Sequence, residues 1–251
     1  MAKGDQLDVV LNRISDQELK AYQEILKIKD EQVGGHKVAF FNNEIRGTYR
    51  NPIISRYNSR YAPDYDVMMK AVADKLHISC GQYPSLEEVE NKIISRILEL
   101  IKQQVTKEKG ANAWKTIEEE AEKNIKDLVE QGKITGMNPK EILNLRGPAV
   151  MAAIISGRLA GLGIYLFANQ VFYSTARIFG VSLGGAVAGP VIGRVLAVAL
   201  GPIGLLLSAV LLLLDLNKLL DSDWKKVIPC IVLTIIYRRM LEYKEKGIIS
   251  E

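Results

Sequence analysis

A chain of 251 residues, with 48% hydrophobic and 25% charged residues, has the composition of a folded protein and the length of about two regions. Its net charge is only +4, and its two cysteines, Cys80 and Cys230, cannot form a disulfide scaffold. The composition therefore excludes a disulfide-rich secreted domain and points to a reducing compartment. The first residues carry no apolar stretch, so we expect no secretory signal there.

Charge is distributed unevenly along the chain. Residues 1–148 hold 23 Lys+Arg and 23 Asp+Glu, whereas residues 149–251 hold 10 and 6. The whole net charge thus belongs to the second part, where charges are sparse and lie at segment ends. A dense basic patch is typical of nucleic-acid binding, so we expect no nucleic-acid partner and favour a membrane.

The first predicted helix covers residues 16–29. Ser15 and Glu18 have the spacing of a capping box, and apolar residues recur behind them at helical intervals. Gly34 and Gly35 break the pattern. Residues 36–65 look less regular, and residues 67–76 read as a short helix.

The irregular stretch interleaves arginines with tyrosines: Arg46, Arg50, Arg56 and Arg60 with Tyr49, Tyr57, Tyr61 and Tyr65. Our first interpretation is a folded connector whose tyrosines pack and whose arginines pair with Glu44, Asp64 and Asp66. There are two alternatives: these side chains bind acidic lipid headgroups, or they bind nucleic-acid bases and phosphates.

Two long amphipathic helices follow. Ser85 and Glu88 repeat the capping spacing, and one face then carries Val89, Ile93, Ile97, Leu100, Ile101 and Val105 up to Gly110. Residues 114–131 give a second helix, on which the carboxylates of residues 118–123 look like a solvated face. A short helix is predicted after Pro139. Because no segment alternates at period two, the predicted fold class is all-α.

The composition changes at Gly147 and Pro148, which divides the chain into a charged helical region, residues 1–147, and a glycine-rich apolar region, residues 148–251. Residues 195–214 are 20 consecutive uncharged residues, and residues 159–176 are 18. A helix of about 20 residues spans a hydrocarbon core of about 30 Å. Residues 195–214 are the best spanning candidate; residues 149–168 come second, because Arg158 interrupts them.

Two ladders of small residues lie in the apolar region at intervals of four. One is Gly185, Gly189, Gly193, Ala197 and Gly201, and the other is Ala149, Ala153, Gly157 and Gly161. Residues four apart share a helix face, and a face of glycine and alanine lets another backbone approach closely in lipid. The predicted architecture is a helical bundle followed by a glycine-rich helical hairpin that oligomerises. A hairpin packed inside a soluble bundle is the alternative.

Basic residues flank the apolar segments: Arg158, Arg177, Arg194, Lys225, Lys226, Arg238 and Arg239. Lys/Arg-rich flanks stay in the cytoplasm, which predicts an even number of crossings with both termini cytoplasmic. Arginines beside apolar segments reach toward headgroups or water, or line a pore.

No catalytic or cofactor motif is present in the sequence. It contains no Walker, G-x-S-x-G or H-E-x-x-H pattern. His77 and Cys80 lie close together, but a zinc site needs three or four ligands. We therefore expect no enzyme activity, no cofactor and no metal.

Several short segments resemble one bacterial family. The order SDQEL, NEIRGTYRNP, VMMKAVADKLHIS, SLEEVENKIISRIL and WKKVIPCIVLTIIYRRM is similar to that of the YaaW-like uncharacterised proteins, which are grouped with ubiquinol–cytochrome c chaperones. The resemblance implies a mostly helical fold and carries over no catalytic residue. The stretch LLLSAVLLLLDL is longer and more apolar than this resemblance implies.

Two functions follow from these observations. The first is a protein of the bacterial inner membrane that inserts a glycine-zipper hairpin into the bilayer, self-associates, and permeabilises or remodels the membrane. The second is a cytoplasmic assembly or chaperone module that binds a protein partner of a membrane complex through helices 89–105 and 114–131.

Overall fold

The computed structural model describes residues 5–53, 63–81, 84–130, 162–178 and 224–247, and the regular elements in these ranges are all helical. The helices are α1 (Gln6–Leu11), α2 (Asp16–Leu26), α3 (Lys37–Ile53), α4 (Tyr65–Lys75), α5 (Leu86–Lys109), α6 (Ala111–Glu130), α7 (Leu162–Ile178) and α8 (Trp224–Glu245). A short 3-10 helix, Asp30–Gln32, separates α2 from α3. The all-α prediction is confirmed for this part of the chain.

Helix α2 begins at the predicted capping box. The Ser15 hydroxyl accepts a hydrogen bond from the Glu18 amide at 3.3 Å, and the Glu18 carboxylate accepts one from the Ser15 amide at 2.6 Å. These bonds satisfy two amides that a helix start leaves open. The helix ends at Leu26, before the predicted residue 29, because Lys27 adopts a left-handed conformation with φ +57°.

Helix α5 has the predicted start and end. The Ser85 hydroxyl caps the Glu88 amide at 3.1 Å, and the helix stops at Gly110. Gly110 has φ +85°, a conformation that residues with a Cβ rarely adopt. The end of this helix is therefore set by the one residue type that tolerates it.

The prediction of irregular structure was wrong for residues 37–53, which form α3. Phe41, Ile45 and Tyr49 lie four residues apart on one face of this helix and are buried. Gly47 inside the helix costs about 1 kcal/mol relative to alanine. Burial of each large apolar side chain contributes about 1.5–3 kcal/mol, so tertiary packing outweighs the weak local propensity.

Helix α8 forms the centre of the bundle. Every residue from 227 to 237 is buried, and the helix contacts α1, α2, α3, α4, α5 and α7. A helix that is apolar on all sides belongs in an interior. The core consequently crosses the composition boundary at residues 147–148, because α7 and α8 pack together with helices of the first region.

Helices α2 and α4 run antiparallel to α8. On α2, the Tyr22 hydroxyl is 2.9 Å from Thr234 Oγ1, and Arg13, just before α2, pairs with Glu245 at the end of α8. On α4, the last residue, Lys75, lies over the ring of Trp224, the first residue of α8. The start of α8 and the end of α4 therefore lie at the same end of the bundle.

Helices α5 and α7 pack against α8, and α6 packs against α5 and α7. Asn124 of α6 donates to Gln170 of α7 at 2.9 Å, and Ser174 donates to Glu120 at 2.9 Å, so α6 and α7 are antiparallel. The described part of the uncharged run 159–176 is thus packed in the bundle, with Tyr165, Phe167, Ala168, Val171 and Phe172 buried.

The sequence suggested that the carboxylates of residues 118–123 form a solvated face, but one of them is buried. Glu118 is buried, and its Oε1 atom has no hydrogen-bond partner among the described residues. Burial raises the pKa of Glu118, and this effect outweighs the opposing attraction of Lys102 on α5. The α6 face that carries Glu118 therefore belongs to the interior.

Among the helices that the structure describes, none is both long enough and apolar enough to cross a bilayer. The spanning candidate 195–214 and both small-residue ladders, with Gly157, Gly161, Gly185, Gly189, Gly193, Ala197 and Gly201, lie outside the described residues. The short helix predicted after Pro139 lies outside them as well.

Candidate functional site

The surface of the described bundle offers no apolar patch. Val67 is its only exposed large hydrophobic residue within the described ranges. The apolar face of α5 and the described part of the apolar face of α6, with Trp114, Ile117 and Ala121, are buried inside the chain, although the sequence analysis offered both helices for partner binding. The feature that stands out is instead a buried polar cluster around Glu90.

Glu90 lies on the apolar face of α5 and is fully buried. Its Oε1 accepts hydrogen bonds from Arg238 Nε at 2.6 Å and from the Tyr65 hydroxyl at 3.3 Å. Its Oε2 accepts from Arg239 Nε at 2.8 Å and from Arg238 Nη2. Both carboxylate oxygens are therefore engaged, and the pair with Arg238 is bidentate, the strongest geometry for this type of ion pair.

The neighbouring residue, Asn91, holds α7 in the same way that Glu90 holds α8. The Tyr165 hydroxyl, near the start of α7, donates to Asn91 Oδ1 at 2.9 Å. The Arg239 guanidinium lies 5.9 Å from the centre of the Tyr165 ring, within range of a cation–π contact. Two consecutive residues of α5 thus fasten the two helices that bracket residues 179–223.

Additional carboxylates complete the cluster at its outer edge. Arg239 Nη1 is 2.8 Å from Glu242 and 3.5 Å from Glu87, whose side chain is about half exposed. Burial acts to lower the pKa of Arg239, but the Glu90, Glu87 and Glu242 carboxylates and Tyr165 together raise it above the usual value. Arg239 consequently stays charged inside the protein.

The tyrosine that contacts Glu90 serves as a hydrogen-bond donor. Burial, followed by the nearby Glu90 carboxylate, raises the pKa of Tyr65 well above its ordinary value. Its proton is therefore retained and available to Glu90. With its lone pairs occupied by two arginines and this hydroxyl, Glu90 is suited to holding helices together rather than to accepting a proton from a substrate.

The structure locates the predicted membrane-flanking residues as follows. Arg239 is buried and Arg238 largely buried in the Glu90 cluster, while Lys225 is exposed and Lys226 half-buried at the start of α8. Arg177 belongs to α7, but its side chain, like Arg158 and Arg194, lies outside the described residues. Their role beside a membrane stays a prediction.

A second buried ion pair involves the arginine–tyrosine run. Arg46 Nη2 lies 2.9 Å from Asp5 and 3.7 Å from Asp8, and Arg46 also donates to the Pro63 carbonyl. Arg46 thus pairs with Asp5 and Asp8 and not with Glu44, Asp64 or Asp66, the partners predicted for the arginines of this run; the side chains of Arg50, Arg56 and Arg60 lie outside the described residues. The predicted packing of tyrosines is confirmed for Tyr49 and Tyr65, which are buried.

Within the described ranges, no group of three His, Cys, Asp or Glu side chains is arranged to hold a metal ion. His77 is exposed at the end of α4, and Cys80 is half-buried.

Comparison of the chain with protein-family models, with curated proteins and with solved structures gives no match. The resemblance to the YaaW-like family therefore stays a prediction.

Replacing Glu90 by Gln tests the importance of the buried cluster. Gln keeps the shape of the side chain but leaves two buried arginines without their carboxylate, which typically costs about 3–5 kcal/mol. We expect the free energy of unfolding in urea to fall by this amount. Glu119→Gln is the matched control, because Glu119 is exposed and makes only a 3.8 Å surface contact with Lys115, so a change within about 0.5 kcal/mol is expected. Equal effects of the two substitutions on the free energy of unfolding would contradict the conclusion that Glu90 is the buried partner of both arginines.

Proposed function

We propose that the helical bundle anchors residues 179–223 as a hairpin that inserts into a membrane and self-associates there. In this proposal the bundle lies on the cytoplasmic side of a bacterial inner membrane, with both termini in the cytoplasm. Assembly of inserted hairpins would permeabilise or remodel the bilayer.

One observation carries this proposal: Glu90 and Asn91 tie both flanking helices, α8 and α7, to a single helix of the bundle. When both ends of a segment are held by the same bundle, the segment enters the bilayer from the side of the bundle and returns to that side. It therefore crosses the bilayer an even number of times, in line with the basic residues on its cytoplasmic flanks.

The sequence between the two anchors suits such a hairpin. In the proposed hairpin, residues 195–214 are long enough for one crossing, and residues 179–193 would form the second, shorter arm. An arm of 15 residues is about 22 Å long as a helix. A short arm is accommodated by local thinning of the bilayer or by oligomerisation.

The small-residue ladder supports self-association. Gly185, Gly189 and Gly193 would share one face of the short arm, and Ala197 and Gly201 would share one face of the long arm. In lipid there is no hydrophobic drive for helices to associate, so close backbone contact along such a face supplies the attraction. In water the same glycines would only weaken a helix.

The alternative function is a soluble assembly module that binds a partner through helices 89–105 and 114–131. In the bundle the apolar face of α5, and Trp114, Ile117 and Ala121 of α6, are already covered by other parts of the chain. A partner using these residues would have to displace the core, which counts against this alternative.

Membrane integration is tested by washing membranes from expressing cells with alkaline sodium carbonate. We expect the wild-type protein to stay in the membrane pellet and Leu206→Arg to be released. An arginine at the middle of a spanning helix costs about 2.5–3.5 kcal/mol on the insertion scale. Leu206→Phe keeps the segment apolar and should remain in the pellet. Release of the wild-type chain would contradict the proposal.

The ladder is tested by the double variant Gly189→Leu/Gly193→Leu. Two leucines on this face hold neighbouring helices apart, so crosslinked oligomers in vesicles and the leakage of a trapped dye should both be lost. Val187→Leu/Val191→Leu adds bulk to other faces of the same segment and should behave like the wild type. If the ladder variant assembles and leaks as the wild type does, self-association does not use these glycines.

A further inference from the structure

We infer that the end of the bundle where α8 begins is a docking surface for anionic phospholipid headgroups, a conclusion that rests on the proposed insertion of residues 179–223. Three lysines, Lys75, Lys225 and Lys226, surround Trp224 at this end. They would bring the bundle to the bilayer before or during insertion and would orient α8 with its N-terminus toward the lipid.

Chain continuity places this end near the membrane. Residues 195–214 end only ten residues before Trp224, a separation of about 15 Å if helical and about 35 Å at full extension. Trp224 in turn is fixed in the bundle by Tyr49, whose ring packs edge-on at 6.4 Å, and by Lys75. Insertion of residues 195–214 therefore holds this end close to the bilayer surface.

The lysines at this end suit a headgroup layer. Lys225 is exposed, Lys226 is half-buried, and Lys75 extends over the Trp224 ring with Nζ 5.8 Å from its centre. The exposed Asp74 is the single acidic side chain of the described residues on the same turn as Lys75. Trp224 and Tyr49 are buried beneath these lysines, so the lysines are the groups that can meet anionic lipids.

The two ends of α8 differ in charge. The opposite end of α8, about 30 Å away, mixes both signs: Glu87, Glu88 and Glu245 are exposed there together with Lys244 and Lys246. The lysine-rich end is thus distinct from the other end of the same helix.

Flotation of the full chain with vesicles tests this surface. Vesicles of phosphatidylcholine alone are compared with vesicles that also contain phosphatidylglycerol. Because an inserted chain would stay bound whatever its surface charge, the charge variants and their reference chain all carry Leu206→Arg, which should not insert. Each lysine near an anionic surface contributes about fivefold, so adding Lys75→Gln/Lys225→Gln/Lys226→Gln should weaken binding to the anionic vesicles on the order of 100-fold. High salt should weaken binding of the Leu206→Arg chain in the same direction.

Two further variants guard against effects on folding. Lys225→Gln/Lys226→Gln leaves the Lys75–Trp224 contact intact and should weaken binding about 30-fold. Lys20→Gln/Lys123→Gln/Lys244→Gln removes three exposed lysines elsewhere on the bundle and should bind like the reference chain. Equal losses for both triple variants would overturn the proposal, because they would indicate a general charge effect.

The same experiment separates docking from insertion. Leu206→Arg, which should not insert, is expected to float with anionic vesicles at low salt and to detach at high salt. If it does so while the wild type is also removed by carbonate, docking stands and insertion fails. If the Leu206→Arg chain binds neutral and anionic vesicles equally, or binds RNA and no vesicles, the headgroup surface is overturned.

Discussion

A buried carboxylate with two arginines determines how the central helix sits in this protein. Removing Glu90, Arg238 and Arg239 from water costs several kcal/mol for each ion, and only close, well-directed hydrogen bonds compensate for that cost. The geometry meets this condition at the carboxylate, because both Glu90 oxygens are engaged, and Arg239 also contacts Glu242, while its Nη2 has no partner among the described residues. A shift of α8 by one turn along α5 would leave buried charges unpaired. The cluster therefore sets the register of α8, while apolar packing supplies most of the attraction.

The chain contains two very different apolar segments, and length and charge pairing distinguish them. In α8 the fully buried run covers residues 227–237, about 16 Å of helix, and it ends at two arginines whose partner is inside the protein. Residues 195–214 are nearly twice as long and carry no charge. The first segment suits the centre of a bundle and the second suits a bilayer. Their separation by only twelve residues, 215–226, would allow the folded bundle to carry the proposed membrane hairpin.

Much of the fold could be predicted from the sequence, because the short-range signals that start and end several helices agree with the tertiary structure. The capping residues Ser15 and Ser85 and the stop at Gly110 all act over a few residues. Helix α3 was missed because Gly47 weakens its local signal and long-range burial of Phe41 and Ile45 stabilises it. Arg238 and Arg239 were interpreted as membrane flanks because their partner, Glu90, is about 150 residues away in sequence. One signal was available: Glu90 shares a helix face with Ile94, Ile97 and Ile101, so a carboxylate on that apolar stripe required a buried cation.

Hydrogen–deuterium exchange of the vesicle-bound protein tests most directly whether the bundle stays closed around α8 while residues 179–223 enter the bilayer. The amides of residues 228–237 should exchange as slowly on vesicles as in solution, because the Glu90 cluster keeps α8 docked. Amides of residues 195–214 should become protected only when vesicles are present. Faster exchange in residues 228–237 on vesicles would contradict the account, because it would mean that insertion opens the bundle and breaks the cluster.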